Sequence, residues 1–284
     1  METRFLETFL MVADHGSLAE AARRLGLTPA AVAQRMQALE AEIGAPLFAR
    51  SGKSVRPTEA GRAILDSARR LVAEARALRA RARADQPAGE LRLGAISTAL
   101  TGLLPQALLR LRARMPGVEV FVLPGSSTDL HAALEAGRID AALLVRPPFD
   151  LPKTRVWAAV RREPLVLLVP AGMAGGDPLA LLESEPFIRY DRGNWGGRLA
   201  QGWMEARGIR PREWLELDQL EAISVMVSAG LGVSLIPDWA PPWPAGVDAL
   251  RLPLPGPPVF REIGLLHDRG SPATRLIRSL IEVL

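Results

Sequence analysis

The sequence predicts an α/β chain: a winged helix-turn-helix, then one long linker helix, then a two-lobed, doubly wound domain. Three observations carry this expectation. Residues 17–61 hold short helices, a tight turn and a hairpin with each boundary marked; residues 62–86 run without glycine or proline; beyond residue 90, short β-rich runs alternate with helical patterns.

Taken in order, Ser17 with Glu20 three residues on forms a capping box, and Leu25-Gly26-Leu27 ends that helix. Thr28-Pro29 opens the next helix as N-cap and first helical residue. Along it Val32, Met36, Leu39 and Ile43 form one apolar stripe, leaving Ala30, Ala33, Gln34 and Gln37 on the opposite face. Small and amide side chains on an exposed N-terminal half suit a DNA major groove, where methyls meet thymine and an amide pairs with an adenine edge. The run Arg50-Ser51-Gly52-Lys53-Ser54-Val55-Arg56-Pro57 reads as a hairpin wing. Cations on such a wing would lie along phosphates, giving affinity and register without reading sequence.

Thr58 is the expected N-cap of the long helix. Ile64, Leu71 and Leu78 recur every seven residues, with Ala68, Ala75 and Ala82 beside them, a narrow seam that calls for a partner helix and hence a homodimer. Pairing there would set two recognition helices about one DNA turn, or a multiple of it, apart. Residues 86–89, Gln-Pro-Ala-Gly, read as a linker.

Runs at 91–96, 118–123 and 139–145, separated by helical patterns at 103–114 and 130–136, describe βαβαβ with parallel strands. Runs at 165–169, 187–190, 214–217 and 233–236 repeat the scheme in a second lobe, with helices near Leu179, at 198–207 and at 220–229. The chain is expected to cross between lobes near 160–162 and return near 261–267, so that a last helix, 272–283, packs on the first lobe. Two such lobes bind ligands in the crevice at the carboxyl ends of their strands.

Loops after the strands supply the candidates for that crevice. They are Ser97 and Thr98 after the first strand, Ser126 and Thr128 after the second, and Arg146 after the third. From the second lobe come Arg192, Asn194 and Trp195, in a loop with three glycines. Trp195 reads either as a ring platform or as core. Two arginines in an otherwise neutral domain point to a small organic anion as ligand.

Charge is distributed unevenly. Residues 1–86 carry 14 lysines and arginines against 10 acidic residues, which accounts for the whole net charge of +4, and the remaining residues carry 21 against 21. The excess sits at the end expected to face nucleic acid. With no cysteine, the chain has no disulfide framework, cysteine zinc site or thiol nucleophile. Catalysis finds no support, because His15, His131 and His267 are scattered and no nucleophile elbow, phosphate loop or metal-ligand spacing occurs. Neither cofactor nor metal is expected. No basic-then-apolar leader opens the chain, and its longest apolar stretch, 164–176, is too short to span a bilayer, so a soluble cytoplasmic protein is expected.

Several local sequences resemble the LysR-type transcriptional regulators, and the resemblance covers essentially the whole chain. They are Gly16-Ser17-Leu18-Ala19-Glu20-Ala21-Ala22, Leu25-Gly26-Leu27-Thr28, residues 39–50 from Leu39 through Pro46-Leu47-Phe48 to Arg50, and Pro57-Thr58-Glu59-Ala60-Gly61. The chain departs from the family at Pro29-Ala30, where a glutamine-proline pair is usual, and at Ala33, where a serine is common. The resemblance implies a DNA-binding domain over 1–58, a dimerising linker helix over 59–86 and an effector-binding domain over 87–284 similar to periplasmic binding proteins. Its first lobe would comprise about 90–161 and 267–284, its second about 162–266. Contacts to double-stranded DNA at a partly palindromic operator then fall to Thr28, Pro29, Ala30, Ala33, Gln34 and Gln37, with Arg50, Lys53 and Arg56 on phosphates. Family members commonly form tetramers, and their ligands often meet the loop matching Ser97 and Thr98. The rival reading is a ligand-independent DNA-binding regulator whose two-lobed domain serves only oligomerisation.

Overall fold

Left-handed glycines end the first three helices. The helices α1 (Thr3–His15), α2 (Leu18–Leu25) and α3 (Pro29–Ile43) stop at Gly16, Gly26 and Gly44, whose φ values are 61, 65 and 79°. At the starts, the Ser17 hydroxyl accepts from the Glu20 amide at 3.3 Å and the Thr28 hydroxyl from the Ala31 amide at 3.2 Å. The expected capping box is only half made, because the Glu20 carboxylate turns to Arg23 and Arg24. Those arginines hold its carboxyl below the ordinary carboxylate value.

The wing follows as an antiparallel hairpin of β1 (Phe48–Ser51) and β2 (Ser54–Pro57), and α4 (Glu59–Ala82) closes this unit. Glu40 on α3 fixes the wing's entry by accepting from the amides of Leu47 (2.7 Å) and Phe48 (3.2 Å). Thr58 caps α4 as expected, accepting from the Gly61 amide at 3.0 Å while donating to the Pro46 carbonyl at 2.7 Å. Gly61 is required by close packing, since a Cβ there would lie 2.2 Å from the Leu47 carbonyl oxygen. Phe9, Val12, Val32, Leu39 and Leu47 form the core, and Ala68 and Val72 of α4 bury into it. Two expectations change here. Ile43 lies beyond the packed stripe and is 39% exposed, and Ala68 packs inside its own domain rather than along an intermolecular seam.

This computed structural model describes residues 2–51, 54–82 and 89–284. They fall into two units, residues 1–86 and residues 87–284 apart from the turn 136–138. Of the linker expected at 86–89, residues 86–88 lie outside the described residues and Gly89 opens the next strand.

The second unit begins with β3 (Gly89–Ala95), α5 (Ser97–Gly102), α6 (Leu104–Arg114), β4 (Val118–Pro124), α7 (Ser127–Glu135) and β5 (Ala141–Val145). As expected, β3 lies parallel between β4 and β5, and all five β5 residues are buried. Then comes β6 (Arg155–Pro170), a single 16-residue strand that passes through both lobes. Next come α8 (Pro178–Ser184), β7 (Pro186–Tyr190), α9 (Trp195–Glu205), β8 (Arg212–Leu217), α10 (Leu220–Ser228) and β9 (Ser234–Pro237). The chain ends with β10 (Ala249–Pro253), β11 (Phe260–Asp268) and α11 (Thr274–Ile281).

The first lobe's sheet has the order β4-β3-β5-β11-β6, with β11 antiparallel to both its neighbours. Past Pro164 the same β6 pairs antiparallel with β9 and β10 in the second lobe, where β7 and β8 pair in parallel. The second lobe therefore does not repeat the parallel βαβαβ arrangement of β3, β4 and β5. Its opening strand is the continuation of a strand from the other lobe, which fixes its direction, and β10 has no counterpart in the expected pattern. As expected, α11 packs on the first lobe, where Ile277 and Leu280 join Leu91, Leu93 and Leu143. Each fully buried leucine of this kind contributes about 1.5–3 kcal/mol of transfer free energy. Among the described residues, no helix is long and apolar enough to cross a membrane.

Candidate functional site

On the first unit, α3 buries Val32, Met36 and Leu39 and thereby turns its other face outward. Thr28, Pro29, Ala30, Gln34 and Gln37 are exposed, and Ala33 is half-buried on the same side. The face is a convex helix surface of methyl, methylene and amide groups without a single charge, the chemistry that reads base edges. Arg35, between the two faces, is held by donation to the Thr8 hydroxyl at 3.2 Å. Arg56 stands exposed on β2. The Arg50 side chain and all of Lys53 lie outside the described residues.

On the second unit, a cleft of about 370 Å³ opens between the lobes, suited in size to a small metabolite. From the first lobe it receives Ser97, Thr98 and Ser126, and from the second Asn194, Asp218 and Gln219. Most of these stand at helix starts. Ser97 and Thr98 begin α5 rather than lying in a loop, Ser126 precedes α7, Asn194 precedes α9 and Gln219 precedes α10. Ser126 accepts from the Asp129 amide at 3.2 Å and donates to its carboxylate at 2.6 Å. Ser97 donates across the cleft to Glu221 at 3.3 Å.

The floor of the cleft is a buried ion pair that sequence reasoning missed. Arg261 on β11 and Glu163 on β6 are directly opposed in the antiparallel register and each is 1% exposed. Arg261 donates to Glu163 Oε2 through Nε at 2.8 Å and through a terminal nitrogen at 2.5 Å, and that terminal nitrogen also reaches the Thr98 hydroxyl at 3.1 Å. Glu163 Oε1 takes the Ala240 amide at 3.2 Å and lies 3.4 Å from the Arg161 guanidinium. The pair thus touches both lobes where the two connecting strands run side by side. Burial pushes the Tyr190 hydroxyl above its ordinary value, against the pull of the Arg261 guanidinium beside it. The sequence carried only a partial signal for this pair: Glu163 borders Pro164-Leu165-Val166-Leu167-Leu168 and Arg261 stands two residues before Ile263-Gly264-Leu265-Leu266, but each has other charges beside it, Arg161 and Arg162 in one strand and Glu262 in the other.

Four expected cleft residues are elsewhere. Arg192 is clamped by Glu216 (3.1 Å) and Glu213 (2.8 Å), and Glu213 in turn holds the buried Arg189. Hydrogen bonding from Arg189 and Arg192 lowers the Glu213 carboxyl, hydrogen bonding from Arg192 lowers that of Glu216, and hydrogen bonding to Glu216 raises the Arg192 guanidinium. Arg146 pairs with Glu262 at 3.0 Å outside the cleft. Trp195 is core: it is 6% exposed and packs edge-on against His131 and Phe149 of the first lobe at 5.7 Å each. Thr128 spends its hydroxyl on Ser126 at 3.0 Å, within the first turn of α7. Arg261 therefore replaces Arg146 and Arg192 as the cation of the cleft.

A helix-turn-helix with a hairpin wing, joined to a two-lobed domain with a polar cleft, defines a ligand-responsive DNA-binding regulator. Residues 3–62 match the bacterial regulatory helix-turn-helix proteins of the lysR family, and residues 84–284 match the LysR substrate binding domain. The chain is 34% identical over 283 residues to the HTH-type transcriptional regulator IlvR of Caulobacter vibrioides, covering 97% of this chain and 95% of that protein. It is 31% identical to the HTH-type transcriptional regulator TtuA of Agrobacterium vitis, covering 84% and 81%. Among solved structures, a full-length OxyR variant from Pseudomonas aeruginosa superimposes with a TM-score of 0.75 at 25% identity, covering 100% of this chain and 94% of that one. CbnR, a LysR family transcriptional regulator, does so at 0.67 and 25%, covering 100% and 99%. The chain belongs to the LysR family of bacterial transcriptional regulators.

Proposed function

We propose that this regulator binds a partly palindromic duplex site as a homo-oligomer and changes its grip on that site when a small molecule enters the cleft of residues 87–284. Residues 1–58 would hold the DNA and α4, within 59–86, would pair two copies. The first lobe would comprise 90–161 with 267–284, and the second 162–266. The observation that carries the reading is the cleft itself, because both lobes contribute polar groups to it and a ligand held there favours one arrangement of the lobes over another. Leu71 and Leu78 on α4 are 44% and 69% exposed, the uncovered seam that a second copy would bury, and paired dimers would make a tetramer. Base reading falls to Thr28, Pro29, Ala30, Ala33, Gln34 and Gln37, and phosphate contact to Arg50, Lys53 and Arg56.

The chain works in the cytoplasm, where its DNA is, and carries out no catalysis. Its cleft hydroxyls at Ser126 and Ser97 are bonded to the Asp129 amide and to Glu221, and its described lining presents no convergent nucleophile and base. Selection of duplexes from a random pool by the purified chain tests the reading. A recovered inverted repeat, bound with altered affinity when a metabolite stabilises the protein, supports it; recovery of unrelated sequences overturns sequence-specific binding, and unchanged affinity with bound metabolite overturns effector control.

A further inference from the structure

We propose that the cleft is built for a small zwitterion of the α-amino-acid type, its carboxylate received between Arg261 and the start of α9 and its ammonium facing Asp129 and Asp218. The inference rests on the cleft being the effector site. It concerns which charges that site accepts, and it replaces the simple organic anion expected from sequence.

Charge in the cleft is lopsided. Arg261 is its single cation among the described lining residues, and Glu163 behind it already balances that charge. On the open side stand two carboxylates. Asp218 makes no hydrogen bond or ion pair among the described residues, and the Asp129 carboxylate takes only the Ser126 hydroxyl. A third, Glu221, sits over Ser97. A dianion entering here would meet uncompensated negative charge, whereas an ammonium would find acceptors and little competition for them.

Two helix starts at the cleft carry no acidic residue in their first turn, those of the six-residue α5 and of the longer α9. Helices α7 and α10 carry Asp129 and Glu221 in their first turns, which offset their positive ends. The 11-residue α9 has no acidic residue in its first turn and its N-cap Asn194 makes no side-chain bond to the free amides; the nearby Asp191 carboxylate is taken up by the Gly193 amide at 2.7 Å and the Asn194 side chain at 3.4 Å. Gly196 in that first turn lies so close to Tyr190 that a Cβ would come 2.8 Å from its hydroxyl oxygen, and that hydroxyl adjoins the Arg261 guanidinium. The Tyr190 hydroxyl thus lies between the Arg261 guanidinium and the first turn of α9, with the 4% exposed Thr98 behind it, and these are the groups assigned to the ligand's carboxylate. One carboxylate satisfies them. The remaining carboxylates, Asp129 and Asp218, then set the requirement for a donor at the ligand's other end.

Titration calorimetry on the full-length chain tests this with a panel of α-amino acids, each beside its deaminated monoacid and the dicarboxylate of equal length. The expected result is an amino acid that binds at least about tenfold more tightly than both counterparts, the worth of one charge-assisted contact. In the Asp129→Asn, Asp218→Asn double variant that preference should fall to about twofold or less, with the monoacid bound no more weakly than by the unaltered chain. A dicarboxylate that binds most tightly, a preference that survives the double variant, or no binding by any amino acid would each overturn the zwitterion assignment. The cleft reading fails separately: a ligand of any charge class whose affinity ignores both Thr98→Val and Asn194→Ala is not bound in this cleft.

Discussion

Removing the cation of the buried pair while leaving its anion should be among the most damaging single changes in the second unit. Arg261→Met keeps much of the volume and strips Glu163 of its two bonds at 2.8 and 2.5 Å, leaving it the Ala240 amide and a distant Arg161. Because Glu163 is 1% exposed, water cannot replace what is lost. Breaking a buried pair in this way costs about 3–5 kcal/mol. For a domain of this size each kcal/mol lowers the melting temperature by about 2–4 °C, so the expected fall is about 6–20 °C. Glu163→Gln in the same background removes the stranded charge, and the double variant should recover most of the loss, since apolar or neutral replacement of both partners is often close to neutral. Scanning calorimetry on the two single variants and the double gives the coupling directly. With each single loss at about 3–5 kcal/mol and the double variant close to neutral, a coupling above about 3 kcal/mol is expected. If the double variant melts where the two losses simply add, the two side chains act independently and the pair does not organise the cleft floor.

Other perturbations reach the remaining parts. Gly61→Ala places a Cβ 2.2 Å from the Leu47 carbonyl oxygen and should destabilise the winged unit by about 1–3 kcal/mol, read by thermal unfolding; an unchanged midpoint would mean that α4 does not sit against the wing as described. Gln34→Ala should weaken DNA binding at particular base pairs, whereas Arg56→Ala should weaken it evenly and reduce the salt slope by about one; equal losses across all sequences for Gln34→Ala would defeat the readout assignment. Leu78→Glu puts a charge into a residue that is 69% exposed and should leave the monomer's stability unchanged while shifting sedimentation toward smaller species. Lowered carboxyls at Glu213 and Glu216 contribute stability above their ordinary value of 4.5, and that contribution is lost as pH falls through their lower folded values. Acid melting should therefore steepen below about pH 4.5, and Arg192→Ala should flatten that slope.

The winged unit was nearly transparent in its sequence, and the reason is local chemistry. Ser17, Gly26, Thr28, Gly44 and Thr58 each act on backbone within a few residues, so a cap or a left-handed turn is visible without knowing the fold. Ile43 misled because the apolar stripe continues one turn past the place where neighbouring helices end. The cleft was half legible. Strand ends pointed to Ser97, Thr98, Ser126 and Asn194, which line the cleft, since topology alone brings those helix starts together. Arginines were not legible in the same way: Arg146 and Arg192 follow strands as a ligand-binding residue should, yet Glu262 and the pair Glu213 and Glu216, distant in sequence, claim them. Arg261 was overlooked for the opposite reason. It stands inside a strand, and only the antiparallel register of β6 with β11 sets it against Glu163 and under Thr98. Trp195 shows the same limit, because its partners His131 and Phe149 come from the other lobe.

The most direct test of effector control through the cleft is the change in operator affinity caused by a stabilising metabolite, measured side by side for the unaltered chain, Thr98→Ala and Arg192→Ala. The structure predicts that Thr98→Ala abolishes the response, because Thr98 sits on the cleft floor beside Arg261, while Arg192→Ala keeps it, because Arg192 is committed to Glu213 and Glu216. A response lost in Arg192→Ala and intact in Thr98→Ala would place the effector elsewhere and contradict the account.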